Sequence, residues 1–446
     1  MSINTAYDVI NLIKKKVNLY KKNNIDLSLS GFAYFTFAGN TPSKLVIDSK
    51  KINFFLLLIE FIGQIKSFIS ILKIFNYKLL YDEEGHFNKE NIIITWSKKN
   101  DFDKYGNYYD KYFNISSDNE NIFFLLISMD GYLPKLQKKN IAIIVNKKIS
   151  LFKYFHLFAI FIFKLVKCLF RSGINFFHYF NWYSVFALHT YSLSKEILNN
   201  SKIKNFYLPY EGQPFQKYLI KQLVNKNINI YGFAHMILLP IPGNLYYTDG
   251  SPNKLLVSGI DQKKILNNFF NWPEKKIELV KSFRFLSNNS KYMNNKIYLP
   301  INIFNKRIII KLIDSYLNSL NNSELNRLEV IIHPNNIYNA FHIKFKNKIK
   351  LLLKKHNKKF TNNKEHNKNC SLFIVNTSSI IEALERGLIK AIHISNNPIY
   401  DIYDSNLWTS LKVKKLSHNI YSYKMIKKKS MIEFGDDKNY FLKYID

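Results

Sequence analysis

Cysteine is almost absent from this 446-residue chain, which has only Cys168 and Cys370. They are far apart and form no C-x-x-C pair, so neither a zinc ribbon nor a disulfide framework is indicated, and a reduced, cytoplasmic setting fits. Acidic residues are scarce as well: 32 Asp and Glu stand against 65 Lys and Arg, a net charge of +33. Such a charge attracts nucleic acid, an anionic membrane surface or an anionic small substrate. The chain is also crowded with Lys, Asn, Ile, Phe and Tyr, so a single Lys or Asn carries little weight. No G-x-G-x-x-G or G-x-x-x-x-G-K-[ST] occurs, which leaves dinucleotide and P-loop readings without support. Helix-turn-helix, zinc-finger and RNP signatures are missing too, which argues against a nucleic-acid module. No repeat at solenoid periods is visible. The first residues, MSINTAYDVINLIKKK, lack an apolar core followed by a small-residue cleavage site, so no secretory signal is expected.

Long uncharged apolar runs are lacking. Residues 53–75 are interrupted by Glu60, Lys66 and Lys73, and residues 151–170 by Lys153, Lys164 and Lys167. Neither offers the roughly 18 apolar residues of a spanning helix. Two readings stay open for both: buried core helices, or a basic amphipathic surface resting on anionic lipid.

What is present is bulk and rhythm. Hydrophobic residues make up 47% and aromatics 16% of the chain, which excludes wholesale disorder. Residues 27–39 and 91–97 read as strands. Residues 204–235 read as strand, turn, helix and strand. A Pro- and Gly-marked stretch, 239–254, reads as a linker. Beyond it the pattern predicts a strand at 254–259, a helix from Ile260 stopped by Pro273, and strands at 327–336, 371–375 and 390–395. Strands alternating with helices predict an α/β fold with parallel sheets. Two such blocks predict two Rossmann-like, doubly wound domains, 1–245 and 254–446, facing a cleft.

Chemistry concentrates at predicted strand ends, where α/β proteins bind ligands. In CSLFIVNTSSIIEALERG (370–387), a strand meets Thr377, Ser378 and Ser379. Ser379 and Glu382 fit a capping box, and Gly387 fits a helix stop. These hydroxyls either cap the helix or hold a phosphate at its N-terminus. His333 ends the strand of EVIIHPNN, and Pro334 holds it extended. Such a histidine can donate to a leaving phosphate. In YLPYEGQPFQ, Glu211 precedes Gly212 and is either a general base or a carboxylate favoured by a helix dipole. His235 ends the next strand and would lie beside Glu211 if the two strands are neighbours. Arg284, one of few arginines, can pair with a carboxylate or phosphate in bidentate fashion. Asp101 and Asp103 form a D-x-D whose tyrosine-rich surroundings favour a structural loop over a metal site.

The order of these elements carries more than any one of them. Glu211-Gly212, then His333-Pro334, then Ser378-Ser379 resembles bacterial sialyltransferases, polysialyltransferases and Kdo transferases. Those enzymes carry an acidic-acidic-Gly motif, an HP motif and an SS or ST motif on a GT-B fold. The likeness covers residues 204–395, and Tyr210 stands where the family has a second acid. It implies a metal-independent, inverting transfer of a sialic-acid-like or Kdo-like sugar from a CMP-sugar, with no cofactor besides that donor. Glu211 would be the base, His333 would donate to the leaving phosphate, and Ser378 and Ser379 would bind it. The partners implied are a nucleotide sugar, a glycan or glycolipid acceptor and an anionic membrane surface. The setting implied is cytoplasmic, peripheral at the inner face of the membrane, in capsule or lipopolysaccharide synthesis. Two other readings are a polyol-phosphate transferase of the teichoic-acid type and a basic nucleic-acid-binding protein.

Overall fold

Runs such as Ile92–Ile94 and Phe123–Ile127 have no polar alternation, so a sheet built from them must be covered on both faces. In the computed structural model they lie at the centre of a mixed α/β fold. The structure describes residues 5–30, 73–74, 76–81, 89–135, 139–146, 152, 155–156, 159, 163, 182–199, 202–287, 296–300, 306–319, 328–333, 336–357, 370–374, 379–395, 397–426, 429–437 and 439–445.

Among the described residues the strands begin with Tyr77–Tyr81 (β1), Asn91–Ser97 (β2), Tyr109–Asp110 (β3), Ile115–Ser116 (β4), Ile122–Ser128 (β5) and Ile141–Asn146 (β6). Next come Asn205–Pro209 (β7), Asn229–Phe233 (β8), Lys254–Val257 (β9), Ile277–Leu279 (β10), Ser282–Leu286 (β11) and Lys296–Tyr298 (β12). The last are Glu329–Ile331 (β13), Cys370–Ile374 (β14), Lys390–Ile394 (β15), Leu411–Ser417 (β16), Ile420–Met425 (β17) and Phe434–Gly435 (β18). The helices are Ala6–Lys22 (α1), Trp182–Leu198 (α2), Pro214–Leu223 (α3), Ile260–Phe269 (α4), Lys306–Ser319 (α5), Ala340–Asn357 (α6), Ser379–Glu385 (α7), Pro398–Asp401 (α8) and Tyr440–Ile445 (α9).

An eight-stranded sheet runs β1-β6-β5-β2-β7-β8-β9-β10. All its pairs are parallel except β1 with β6. Among the parallel strands the chain enters at β2, moves outward through β5 to β6, then returns to the other side of β2 with β7. The strand order therefore reverses between β2 and β7, and the carboxyl ends of those two strands flank the crevice. One sheet face packs Ile92, Ile94, Phe206 and Leu208 against α1 through Val9, Ile13 and Val17, and against α3. The other packs Ile93, Phe124 and Tyr207 under Phe283 and Phe441, the latter from α9.

A six-stranded sheet runs β13-β12-β14-β15-β17-β16. Its first four strands are parallel, and β17 and β16 add antiparallel. Here the reversal lies between β12 and β14. Leu372, Ile374, Ile392 and Ile394 meet α5 and α6 through Ile309, Ile313, Phe345 and Ile349. Phe373 and Ala391 point to the opposite face, with Ile380, Ile381 and Ala383 of α7. That period of two is what a strand buried on both sides requires.

Three expectations change. Residues 27–29 form a turn instead of a strand, because the Asp26 carboxylate accepts from Ser28 N at 2.9 Å and Ser28 Oγ at 2.6 Å. Residues 31–39 lie outside the described residues, as do nearly all of 53–75 and most of 151–170. The stretch 239–254 does not separate the sheets: β9, which follows it, pairs with β8 in the first sheet, and β10 pairs with β9. Leu245 and Tyr246 are buried within it, and Trp272 Nε1 donates to Leu245 O at 2.6 Å. Its prolines and glycines shape a packed segment. Of the strand expected at 327–336, the described residues form only β13, Glu329–Ile331.

The sheets are joined by buried polar contacts. Asp261 of α4 accepts from Ser410 N at 2.7 Å and Thr409 Oγ1 at 3.0 Å. Tyr403 and Trp408 donate to the carbonyls of Leu238 and Pro240, at 2.9 and 3.0 Å.

Candidate functional site

Glu211 follows β7 at the strand-order reversal of the first sheet. The turn that presents it is fixed locally. Pro214 opens α3 at a position where its missing N–H costs nothing. Gln216, buried one turn into the helix, reaches back. Its Oε1 accepts from Glu211 N at 2.9 Å and Gln213 N at 3.2 Å, and its Nε2 donates to Pro209 O at 2.7 Å. Gly212 has φ +68, and a Cβ there would overlap the carbonyl oxygen of Asn244. Asn244 closes the turn from outside, with Nδ2 donating to Glu211 O at 2.7 Å.

The carboxylate itself is 22% exposed. Its Oε2 accepts from Gln213 Nε2 at 2.6 Å, and its Oε1 lies 3.3 Å from His235 Nε2. Burial pushes the acid up, but the bond from His235, the bond from Gln213 and the charge of Arg284 outweigh it. The net pKa lies below the usual 4.5. Glu211 is thus ionised near neutral pH and partly open to solvent, as a general base must be.

His235 is 3% exposed, and burial lowers its pKa from 6.5 despite Glu211. No described residue hydrogen-bonds its Nδ1. A neutral ring with hydrogen on Nε2 satisfies Glu211 and leaves Nδ1 as a bare acceptor. Protonation would place a buried N–H opposite nothing, which costs about 1–3 kcal/mol. The imidazole therefore serves as a neutral donor.

Aromatic rings wall this pair. Tyr112 stands edge-on to His235 at 4.5 Å, and Trp96 lies 6.2 Å from it. Tyr112 is positioned by Asp110, a fully buried carboxylate that accepts from Tyr112 N and Phe113 N, each at 2.8 Å, and from Tyr108 Oη at 2.9 Å. Burial nevertheless raises the Asp110 pKa. Arg284, on β11, sets its guanidinium 5.5 Å from the Tyr112 ring centre and 3.5 Å from the His235 carbonyl. Glu211, Gly212, His235 and Arg284 are thus brought together.

His333 lies at the carboxyl end of β13 in the second sheet and is half-buried. Its pKa falls below 6.5 through burial, then through the charges of Lys98 and His342. Lys98 follows directly on β2. The carboxyl ends of β2 and β13 are therefore close enough for one side chain to bias the other's proton. Ser379 is the first residue of α7 and half-buried; Glu382 pairs with Arg386 at 3.1 Å. Thr377, Ser378 and Pro334 lie outside the described residues.

Asp101 and Asp103 serve their own loop. Asp101 accepts from Lys98 N at 2.8 Å and pairs with Lys111 at 3.2 Å. Asp103 accepts from the backbone of Tyr105 and Asn107 at 2.8 and 2.9 Å. Tyr210, where the resembling family has an acid, is 1% exposed and packs against Gly232, so it offers no group to solvent.

Sequence reasoning missed Gln213, Gln216, Asn244, Tyr112 and Lys98. The first two were within reach, since Gln-Pro-x-Gln is a helix-start pattern. The others act from distant segments and left no local signal. No protein-family model matches the chain, and no curated protein matches it.

Proposed function

We propose that the protein is an inverting glycosyltransferase that moves a sialic-acid-like or Kdo-like sugar from a CMP-sugar to a surface-glycan acceptor, without a metal ion. In this reading the two sheets are the cores of two Rossmann-like domains in a GT-B arrangement, working at the inner face of the membrane. Glu211 takes the proton of the acceptor hydroxyl as that oxygen attacks the anomeric carbon. The bond from this carbon to the phosphate oxygen breaks, and CMP leaves with the electron pair. His333, held extended by Pro334, donates to the departing phosphate, and Ser378, Ser379 and Thr377 bind it. Gly212 permits the turn that aims Glu211, and His235 keeps that carboxylate ionised and oriented. Arg284 pairs with the sugar carboxylate.

The observation that carries this reading is the pairing of two strand ends. An ionised, partly exposed Glu211 stands at the reversal of one parallel sheet, while His333, at the end of a strand in the other, has its pKa lowered in part by Lys98, which follows β2 of the first. A base and a phosphate donor at strand ends of two sheets suit displacement at a carbon between them. Base catalysis of this kind is worth about 10²–10⁴-fold.

The test is a thermal-shift panel with CMP, CDP, UDP, GDP and ADP on the wild type and Ser379→Ala. At 100 times its dissociation constant a ligand adds about 2.7 kcal/mol of stability. Selective stabilisation by CMP, weakened by the substitution, is expected. Stabilisation by CDP or UDP instead changes the donor class, and no shift with any nucleotide removes the reading. His333→Ala should abolish most turnover with the fold intact; full activity in that variant sinks the assignment.

A further inference from the structure

Helix α6 divides cleanly into two sides. His342, Phe345, Ile349, Leu353 and His356 are buried, and the three apolar ones join the core of the second sheet. On the opposite side Lys344, Lys348, Lys350, Lys354 and Lys355 are exposed. Leu351 is 66% exposed among them. At 100° per residue, Lys344, Lys348, Lys354 and Lys355 all fall within about 60° of it. Residues 336–357 contain six lysines and neither Asp nor Glu.

The amino end of α6 adds apolar surface. In the turn before it Tyr338 is 97% and Ile337 52% exposed, and Phe341 and Ile343 of its first turn are exposed as well. Lys306, the first residue of α5, sets Nζ 2.8 Å from the centre of the Phe341 ring. Desolvation, then the charges of Lys348 and Lys344, lower the Lys306 pKa, so cations of two helices crowd this end. Asp314, the acid of α5, lies at the other end of α6, where it pairs with His356 at 2.7 Å.

Lysines alone would suit any polyanion. The aliphatic side chains among them narrow the choice. Ile337, Ile343 and Leu351 give a nucleic acid nothing to stack on and no hydrogen bond, whereas the acyl boundary of a bilayer takes them up while lysines meet the headgroups. Exposed apolar groups gathered in one place mark an interaction surface. A second copy of the chain is a poorer occupant, because it brings the same +33 charge. Among the described residues, no helix is long and apolar enough to cross a membrane. Asn336 N donates to His333 O at 2.8 Å, so the surface begins directly after the carboxyl end of β13.

We infer that the exposed side of α6, with the turn before it, docks on anionic lipid. Lys344, Lys348 and Lys355 meet the headgroups, and Ile337, Tyr338 and Leu351 enter the acyl boundary. The inference does not rest on the transfer reaction.

The experiment is flotation of the full chain with vesicles of phosphatidylcholine alone, or of phosphatidylcholine with phosphatidylglycerol, at low and high salt. Binding to the anionic vesicles, weakened by salt, is expected for the wild type. Replacing Lys344, Lys348 and Lys355 with Gln should weaken it by about fivefold for each charge removed. The triple variant Ile337→Ser, Tyr338→Ser, Leu351→Gln should weaken it too. These side chains are exposed, so circular dichroism and thermal unfolding should match the wild type. Tyr338→Trp should add a blue-shifted emission, relative to the wild type, on anionic vesicles alone. Failure of the wild type to float with anionic vesicles overturns the inference, as does unaltered flotation of either triple variant. So does tight binding of unrelated RNA that the glutamine variant loses while vesicles are left unbound, which would make this a nucleic-acid surface.

Discussion

His235 Nε2 lies 3.3 Å from Glu211 Oε1, and the histidine is the more deeply buried of the two. This asymmetry decides which one carries charge. The carboxylate keeps solvent on one side and gains bonds from Gln213 and His235. The imidazole has no described acceptor at its second nitrogen. The pair is therefore best written as an anion and a neutral donor, an arrangement that orients a base without neutralising it.

The pH dependence of stability follows. His235 and His333 both have pKa values below 6.5 when folded. As pH falls below 6.5 the unfolded chain takes up protons that the folded chain refuses, so stability drops. The slope is at most about 1.4 kcal/mol per pH unit for each histidine. Glu211, with its pKa below 4.5, adds a loss of the same sign only at still lower pH. Urea midpoints recorded across pH 6.5 should decline toward acid, and His235→Gln should flatten the decline. A midpoint that rises on acidification would contradict the neutral assignment.

Gly212 and Gly387 separate two costs of a side chain. Both have positive φ, +68 and +95, but a Cβ at Gly387 meets nothing within 4 Å, whereas at Gly212 it overlaps Asn244 O. Gly387→Ala should cost about 1–2 kcal/mol, the left-handed penalty alone. Gly212→Ala should cost more and displace Glu211, lowering turnover as well as the unfolding midpoint. Equal midpoints for the two variants would show that the 211–212 turn yields freely.

Lys98 and His333 report on the approach of the two sheets. Lys98→Met removes a repelling cation, so His333 should titrate nearer to 6.5, read by histidine NMR, with His235 less affected. An unmoved His333 titration would mean that the strand ends lie farther apart in solution.

Asp261 is one polar link between the sheets, 2% exposed and accepting from Thr409 and Ser410. Asp261→Ala leaves the Ser410 N–H without its acceptor and should cost about 1–3 kcal/mol. Thr409→Ala, at an exposed position, should stay within about 0.5 kcal/mol. Denaturant unfolding of the two variants checks the contrast, and an unaltered Asp261→Ala midpoint would remove Asp261 as a link.

Much of the fold near the site was legible because local signals agreed there. Ile92–Ile94 and Phe206–Leu208 are continuous apolar runs, and Pro214 with its flanking glutamines starts a helix where the strand must turn back. His235 was expected beside Glu211 on condition that their strands were neighbours, and β7 and β8 are. The segment 239–254 misled because Pro and Gly mark irregular backbone, whether it is a solvated linker or a packed loop.

The sequence by itself determined which stretches must be buried on both faces, where α3 begins, and that cations vastly outnumber acids. Those are properties of neighbouring residues or of totals. Tertiary structure alone decided that β9 and β10 join the first sheet, that Asp110 holds Tyr112 against His235, and that Lys98 comes near enough to His333 to lower its pKa. A strand's partner is set by which backbone edge is open to it, and a side chain's charge by what surrounds it. Both depend on segments far apart in the chain, which no local pattern records.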